Sequence, residues 1–143
     1  MARDMKISDE TADVQGDATA ALYNGGYLRI YESGVAGIPA TANTALTTQT
    51  LLAEPRFANP AIASSMNGVL TANPMIADSS ANASATTGAN FYRTFRSDGT
   101  TVISQGTVGA VGSSSDCELN SVMIAAGAEV SVTSFTHTIP KSA

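Results

Sequence analysis

Short runs of hydrophobic and β-prone residues recur along the chain after Gly26, separated by segments rich in glycine, serine and proline. Such runs are typical of strands, and alternation of Ser or Thr with larger side chains indicates a sheet wetted on one face. Seven strands are predicted: Tyr27–Tyr31, Thr50–Phe57, Gly68–Ile76, Ala89–Arg96, Thr100–Val108, Cys117–Ile124 and Glu129–Ile139. This series predicts a mainly β fold, an antiparallel β-sandwich or a small, jelly-roll-like barrel.

The connections between the predicted strands carry three local signals. Asp98-Gly99 lies between two β-prone runs and predicts a hairpin, because both central turn residues accept positive φ. Pro55 and Pro74 lie inside predicted strands, which suggests edge positions or bulges, because proline cannot donate to a ladder. Residues 34–48 predict a long loop, and long loops tend to be functional or mobile.

The N-terminal segment has a helical pattern instead. Its hydrophobic residues recur at helical spacing, at Val14, Ala18, Ala21 and Leu22. Ser8 is suited to cap the helix, with acids in the first turn, and Asn24-Gly25-Gly26 ends it. A short helix over about residues 9–23 is predicted, although Gly16 weakens it by about 1 kcal/mol relative to alanine. The alternative is an extended arm that becomes ordered only against a neighbour.

The net charge of -5 is concentrated at the N-terminus. Residues 1–17 carry a balance of -3, and the rest of the chain carries -2. We therefore divide the chain into an acidic arm or short helix, residues 1–25, and a β-sandwich domain, residues 26–143.

Composition changes the picture of the core. Ala, Ser, Thr and Gly make up 69 of the 143 residues, whereas Leu, Ile, Val and Phe number only 28. That share lies close to the roughly 20% below which disorder is favoured, but disorder also needs a high net charge. Only 13% of the chain is charged, so we expect one folded domain with a thin core of small side chains.

Several classes of partner are excluded by charge and hydropathy. A pI near 4.5 without a basic run argues against nucleic acid. No apolar run reaches the length of a membrane span, and the acidic N-terminus does not resemble a signal peptide. A single cysteine allows no internal disulfide. We expect folding or assembly in a cytoplasm.

The candidate catalytic and metal-binding residues are few. His137 is the only histidine, and its pattern is that of an ordinary strand residue. Cys117 lies between two acids, which raise a thiol pKa, so a buried thiol is favoured over a nucleophile. Asp98 is explained by its turn rather than by a calcium loop. A solvated helix face is likewise preferred to a cation site for Glu10, Asp13 and Asp17. We therefore predict a non-enzymatic protein with no catalytic, cofactor-binding or metal-binding residues.

A series of short motifs follows one another between residues 26 and 139. They are Gly26–Tyr31, Leu51–Ala53, Phe57–Ala61, Gly68–Asn73, Asn90–Arg93, Ser97–Thr100, Cys117–Ser121 and Ile124–Phe135. Together they resemble the "LLA…F.NPAF…G…TAN" pattern of small structural proteins encoded by tailed bacteriophages. The chain departs from that family in its longer loop, residues 32–49, and in its acidic N-terminal arm.

The resemblance implies a structural protein of the virion. Within that class we favour a head-decoration, or cement, protein that binds the shell of major capsid proteins, because avidity over many identical sites can replace large individual interfaces. The arm 1–17, the loop 34–48 and the segment 77–88 suit such contacts. The candidate partner-binding residues are Lys6, Asp9, Glu10, Asp13, Asp17, Tyr23 and Pro39. We also expect a homo-oligomer, a dimer or trimer, located on the capsid surface after assembly in the host cytoplasm.

Two alternatives stay open. A tail, neck or baseplate component of the same virion would be present in fewer copies than a shell-wide protein. A carbohydrate-binding or adhesin-like sandwich would need exposed aromatic side chains, for which Tyr23, Tyr27, Tyr31 and Tyr92 are the candidates.

Overall fold

The computed structural model describes residues 4–141, which contain one α-helix and eight strands. The helix is α1 (Asp9–Leu22), and the strands are β1 (Tyr27–Glu32), β2 (Thr50–Ala53), β3 (Ile62–Met66), β4 (Val69–Ala72), β5 (Phe91–Phe95), β6 (Val102–Ala110), β7 (Cys117–Leu119) and β8 (Val132–Thr138). The prediction of a mainly β fold with one short N-terminal helix is confirmed.

The strands form one open sheet in the order β2-β1-β5-β6-β7-β8-β4-β3. All neighbouring pairs are antiparallel except β6 and β7, which run parallel. Because β7 has only three residues, it joins two larger halves, β2-β1-β5-β6 and β8-β4-β3, along a short stretch.

Aromatic side chains connect the two halves of the sheet. The ring centroids of Tyr92 on β5 and Phe135 on β8 lie 5.3 Å apart. Tyr23, directly after α1, packs 5.0 Å from Phe57 and 5.7 Å from Phe135. These edge-to-face and tilted contacts are favoured aromatic geometries, and they build the sandwich core around a few large side chains.

Two hairpin turns fix the order of neighbouring strands. At the predicted turn between β5 and β6, the Asp98 carboxylate accepts hydrogen bonds from the backbone amides of Thr100 and Thr101, each at 2.9 Å. A second turn, Asn67-Gly68, joins β3 to β4 with φ values of 53° and 81°. Strand β3 was not predicted from the sequence, although the Asn67-Gly68 pair that follows it is a strong hairpin signal.

The two prolines end strands rather than interrupt them. Strand β2 ends at Ala53 and β4 ends at Ala72, so Pro55 and Pro74 each follow a strand end by two residues. The predicted strands that contained them were too long. The physical reason is that proline supplies no amide to extend a ladder.

An irregular pairing corrects the predicted alternation in β8. Val132 pairs with Leu119 and Ser134 pairs with Glu118, so the register shifts between these positions. Such a bulge inserts one extra residue, so that Val132 and Phe135, which are three positions apart, both face the core. Strict alternation would have placed them on opposite faces.

Helix α1 packs on the strands β3 and β4. Its Ser8 cap accepts a hydrogen bond from the Thr11 amide at 3.1 Å, as its sequence predicts. Its buried residues are the small ones, Ala12, Gly16 and Ala20. The boundary at residue 25 therefore separates helix from strands in sequence, whereas the helix packs against the β-domain.

Candidate functional site

The loop between β1 and β2, residues 34–49, is held against the sheet by side chains of β5 and β6, and we call it the anchored loop. The buried Arg93 donates to the carbonyl oxygens of Thr41 and Thr44. The Gln105 amide donates to the Pro39 carbonyl at 2.8 Å. This predicted long loop is therefore fixed to the sheet through residues 39–44, which we call its base.

The first part of the anchored loop, residues 34–38, which we call its tip, presents apolar side chains to solvent. Residues Gly34–Ala36 form a single 3-10 turn with no buried residue. Val35 is fully exposed and Ile38 is 47% exposed. Exposed valine and isoleucine side chains on a fixed loop are suited to contact a protein surface, because their burial there would be favourable.

The segment 77–88 is fixed in a similar way at the neighbouring end of β1. The buried Glu32 carboxylate accepts from the amides of Ala85 and Gly88, at 2.8 and 2.6 Å. The Asp78 carboxylate accepts from the Glu54 amide at 2.8 Å. Charge-assisted bonds to backbone amides hold this serine- and alanine-rich segment in place.

The predicted acidic cluster divides into two groups. Asp13 accepts from the Gly68 amide at 2.8 Å and from the Ser65 hydroxyl at 3.0 Å, and Asp17 accepts from the Ser65 amide at 2.9 Å. These two carboxylates therefore attach α1 to its own sheet.

The other charged candidates lie on the surface. Asp9 pairs with Lys141 at 2.6 Å, Lys6 pairs with Asp4, and Glu10 is exposed. Their side chains are accessible to a partner, unlike the buried side chains of Tyr23 and Pro39.

Tyr23 has no exposed surface, so its side chain does not face a partner. Its hydroxyl lies 2.9 Å from the Ser104 hydroxyl on β6 and 2.6 Å from Nδ1 of His137 on β8. It was predicted as a contact residue, but its long-range contacts place it in the core. Pro39 is also buried, and only its carbonyl is engaged, by Gln105.

Outside Tyr23 lies a cleft of about 210 Å³ between β6 and β8, which we call the β6–β8 cleft. It is lined by Tyr92, Ser104, Gln105, Asp116, Thr136, His137 and Thr138. The sequence did not predict this cleft, because its lining residues come from β5, β6, β8 and the residue before β7, and only the fold brings these four segments together.

Burial controls the protonation of this region. Desolvation lowers the pKa of His137, and the nearby Asp116 carboxylate opposes this only in part. Desolvation also raises the pKa of Tyr23 and Tyr92. The imidazole and both phenols are therefore neutral near pH 7, and Asp116 supplies the negative charge of the cleft.

Cys117 is a buried thiol, as predicted. Burial, followed by the adjacent Asp116 and Glu118 carboxylates, raises its pKa to about 12. The thiol is protonated at neutral pH, which is unsuited to nucleophilic attack. His137 lies within β8, as the strand pattern predicted.

Within residues 4–141, no group of three His, Cys, Asp or Glu side chains is arranged to hold a metal ion. In the same range, α1 is too short and too polar to cross a membrane.

Comparison with family models, curated proteins and solved structures gives no match to the chain. Function is therefore inferred from the anchored loop, the cleft and the sequence motifs.

Proposed function

We propose that this chain is a non-enzymatic structural protein of a tailed-bacteriophage virion, which decorates the capsid and stabilises the shell of major capsid proteins. The observation that carries the proposal is the anchored loop, whose base is bonded to the sheet and whose tip exposes Val35 and Ile38. The resemblance of the sequence motifs to those of phage structural proteins suggests the class of partner.

A fixed loop suits repeated contacts on a shell. Because Arg93 and Gln105 already hold the loop, binding orders fewer residues and loses less conformational entropy. Each contact can then be small, since a particle offers many identical sites and oligomeric copies bind with avidity. A dimer or trimer would serve this purpose on the capsid surface.

The exposed charges contribute in a different way. Asp9 and Glu10 lie on the exposed first turn of α1, and the chain carries a net charge of -5. Exposed charges of one sign steer association with a basic surface more than they add to affinity. We therefore assign primary affinity to the loop and orientation to the helix.

The carbohydrate-binding alternative has little support from the aromatic side chains. Tyr23, Tyr31 and Tyr92 are buried, and Tyr27 is half-buried with the Arg56 guanidinium 4.0 Å from its ring centroid. Stacking a sugar on any of these rings would require rearrangement of the fold.

The test is binding of the purified protein to shells assembled from the major capsid protein. We expect co-sedimentation in hundreds of copies per particle. Replacing both Val35 and Ile38 with aspartate should reduce occupancy at least about tenfold, because two desolvated carboxylates would replace apolar contacts. Val111→Asp, at another exposed apolar position, is the matched control.

Three results would contradict the proposal or change it. Absence of binding to shells would exclude decoration. A copy number of six, twelve or a few dozen in purified virions would assign the protein to the tail, neck or baseplate. Equal loss of binding in the control variant would show that the loop is not the contact.

A further inference from the structure

The β6–β8 cleft is bordered by one edge of β6 and one edge of β8, and among the described residues no strand pairs with either edge along the cleft. Residues 102–107 of β6 pair with β5, and β6 reaches β7 only at residues 108–110. Residues 136–138 of β8 pair with β4, whereas β8 meets β7 at residues 132–135. The sheet is thus continuous through β7 and divided beyond it.

The backbone of β6 presents hydrogen-bonding groups to the cleft. The Val108 amide donates to the Asn90 carbonyl at 3.1 Å, on the side of β5. Backbone groups alternate in direction along a strand, so Ser104 and Gly106 also point to β5. The amide and carbonyl groups of Gln105 therefore point toward the cleft.

Strand β8 presents a matching edge. The Ile139 amide donates to Gly68 on the β4 side at 2.7 Å, and the Thr136 amide donates to the Asp116 carbonyl on the opposite side at 2.9 Å. By the same alternation, the amide and carbonyl of Thr138 point into the cleft.

The loop before β7 explains why the sheet divides here. Cys117, the first residue of β7, pairs with Val108, which lies only two residues before the end of β6 at Ala110. The Glu118 carboxylate accepts from the Gly112 and Ser114 amides, at 3.2 and 2.9 Å, and so stabilises this short return. The chain consequently enters β7 beside residue 108 and does not cover the edge that precedes it.

The two sides of the cleft differ. Its inner side is closed by the Tyr23 hydroxyl, which contacts both Ser104 and His137. Its outer side is bordered by Asp116 and Thr138, both exposed. The Asp116 carboxylate is exposed at the border of the cleft, so it can receive a cationic side chain.

We infer that the β6–β8 cleft binds an extended segment of the shell protein, which continues the line of β7 and pairs with both edges. This inference rests on the proposed function, because it names the shell protein as the occupant. The inferred segment has a small side chain toward Tyr23 and a Lys or Arg beside Asp116. It has no proline at the paired positions, because each of these positions must supply a backbone amide.

Hydrogen–deuterium exchange of the full chain, alone and bound to assembled shells, tests the inference. In the unbound protein, the amides of Gln105 and Thr138 should exchange rapidly. In the bound protein we expect exchange of the Gln105 and Thr138 amides to slow at least about tenfold, because each of these two amides gains a backbone acceptor. Binding without this protection would overturn strand insertion and leave decoration intact, whereas absence of binding would overturn both.

A pair of variants makes the test specific. Thr138→Glu places a second carboxylate at the cleft and should reduce shell affinity at least about tenfold through repulsion and steric block. Thr71→Glu, at an exposed threonine on the neighbouring β4, should leave affinity unchanged. Equal effects of the two variants, with equal melting temperatures, would contradict the inference.

The source of the segment is tested without shells. If protection of 102–107 appears as the concentration of the protein alone is raised, a second copy occupies the cleft and the shell-protein assignment is wrong. Asp116→Asn should weaken shell binding about threefold at low salt and less at high salt, because the inferred ion pair is exposed and screened. An unchanged affinity at low salt would show that the bound segment has no cationic residue paired with Asp116.

Discussion

Helix α1 and the anchored loop were both expected to contact a partner, yet the structure uses them differently. The helix buries Ala12, Gly16 and Ala20, whereas the tip of the loop buries no residue. Both segments are rich in small residues. The comparison shows that small side chains can permit close packing in one segment and leave the neighbouring side chains exposed in another.

Gly16 illustrates the first role. A Cβ atom added there would lie 2.7 Å from the Ser65 Cβ and 2.9 Å from the Leu70 Cδ1. The helix therefore approaches the β3–β4 hairpin at a distance that only glycine allows. Gly16 lowers the helix propensity of α1, but it makes this close packing contact possible.

The largest expected effect comes from Gly16→Val. The added side chain must displace α1 from β3 and β4, so we expect the free energy of unfolding to fall by about 3 kcal/mol. Urea denaturation followed by circular dichroism measures this loss. Ala18→Val, at an exposed position of the same helix, should cost no more than about 1 kcal/mol from lower helix propensity. Equal losses would show that the helix is not closely packed.

A second prediction separates two of the acidic residues that were predicted to contact a partner, Asp13 and Asp9. Asp13→Ala removes the acceptor of the buried Gly68 amide and of the Ser65 hydroxyl, so we expect a loss of about 2 kcal/mol. Asp9→Ala removes an exposed pair with Lys141 and should cost about 0.5 kcal/mol. Thermal unfolding of both variants measures the difference. If Asp9→Ala costs as much as Asp13→Ala, the distinction between a carboxylate that attaches α1 to the sheet and one that lies on the surface is wrong.

The sequence predicted the helix and the β5–β6 hairpin better than it predicted how the elements pack. Ser8 and the helical spacing place α1 correctly, and Asp98-Gly99 places the β5–β6 hairpin, because both signals act over a few residues. Strand β3 was overlooked because Ile-Ala-Ser-Ser-Met contains a single β-branched aliphatic residue. Local propensity alone gives such a segment little preference for a strand.

The candidate site could be predicted only in part, because it depends on distant contacts. The anchored loop was recognisable from its length and composition, but its contact with Arg93 links residues about fifty positions apart. Tyr23 and His137 are separated by 114 positions, so no local pattern relates them. The sequence therefore predicted which segments are loops, but it did not predict which of these loops are fixed by tertiary hydrogen bonds.

A third prediction concerns the base of the anchored loop. Arg93→Met preserves most of the side-chain length but removes the donors to the Thr41 and Thr44 carbonyls, so we expect a loss of about 1 to 2 kcal/mol. Limited proteolysis should cut residues 34–49 faster in this variant. Arg96→Met, at an exposed arginine next to β5, is the control. An unchanged rate of cleavage would mean that the loop is held by other contacts.

The smallest expected effect on stability is that of Val35→Ser at the tip of the loop. Val35 is fully exposed, so its replacement removes no buried apolar area and should change the free energy of unfolding by no more than about 0.5 kcal/mol. Urea denaturation checks this value, and the exchange rates of residues 34–49 should also remain those of the wild type.

The same variant should nevertheless weaken shell binding, because the apolar surface of Val35 would be buried only in the complex. A lower occupancy on shells with unchanged stability would complete the contrast with Gly16→Val, which changes stability through an internal contact. A large loss of stability in Val35→Ser would show that the tip packs within the protein or within its oligomer. In that case the loop and the helix would both serve the fold, and the contact with the shell would have to lie on another surface.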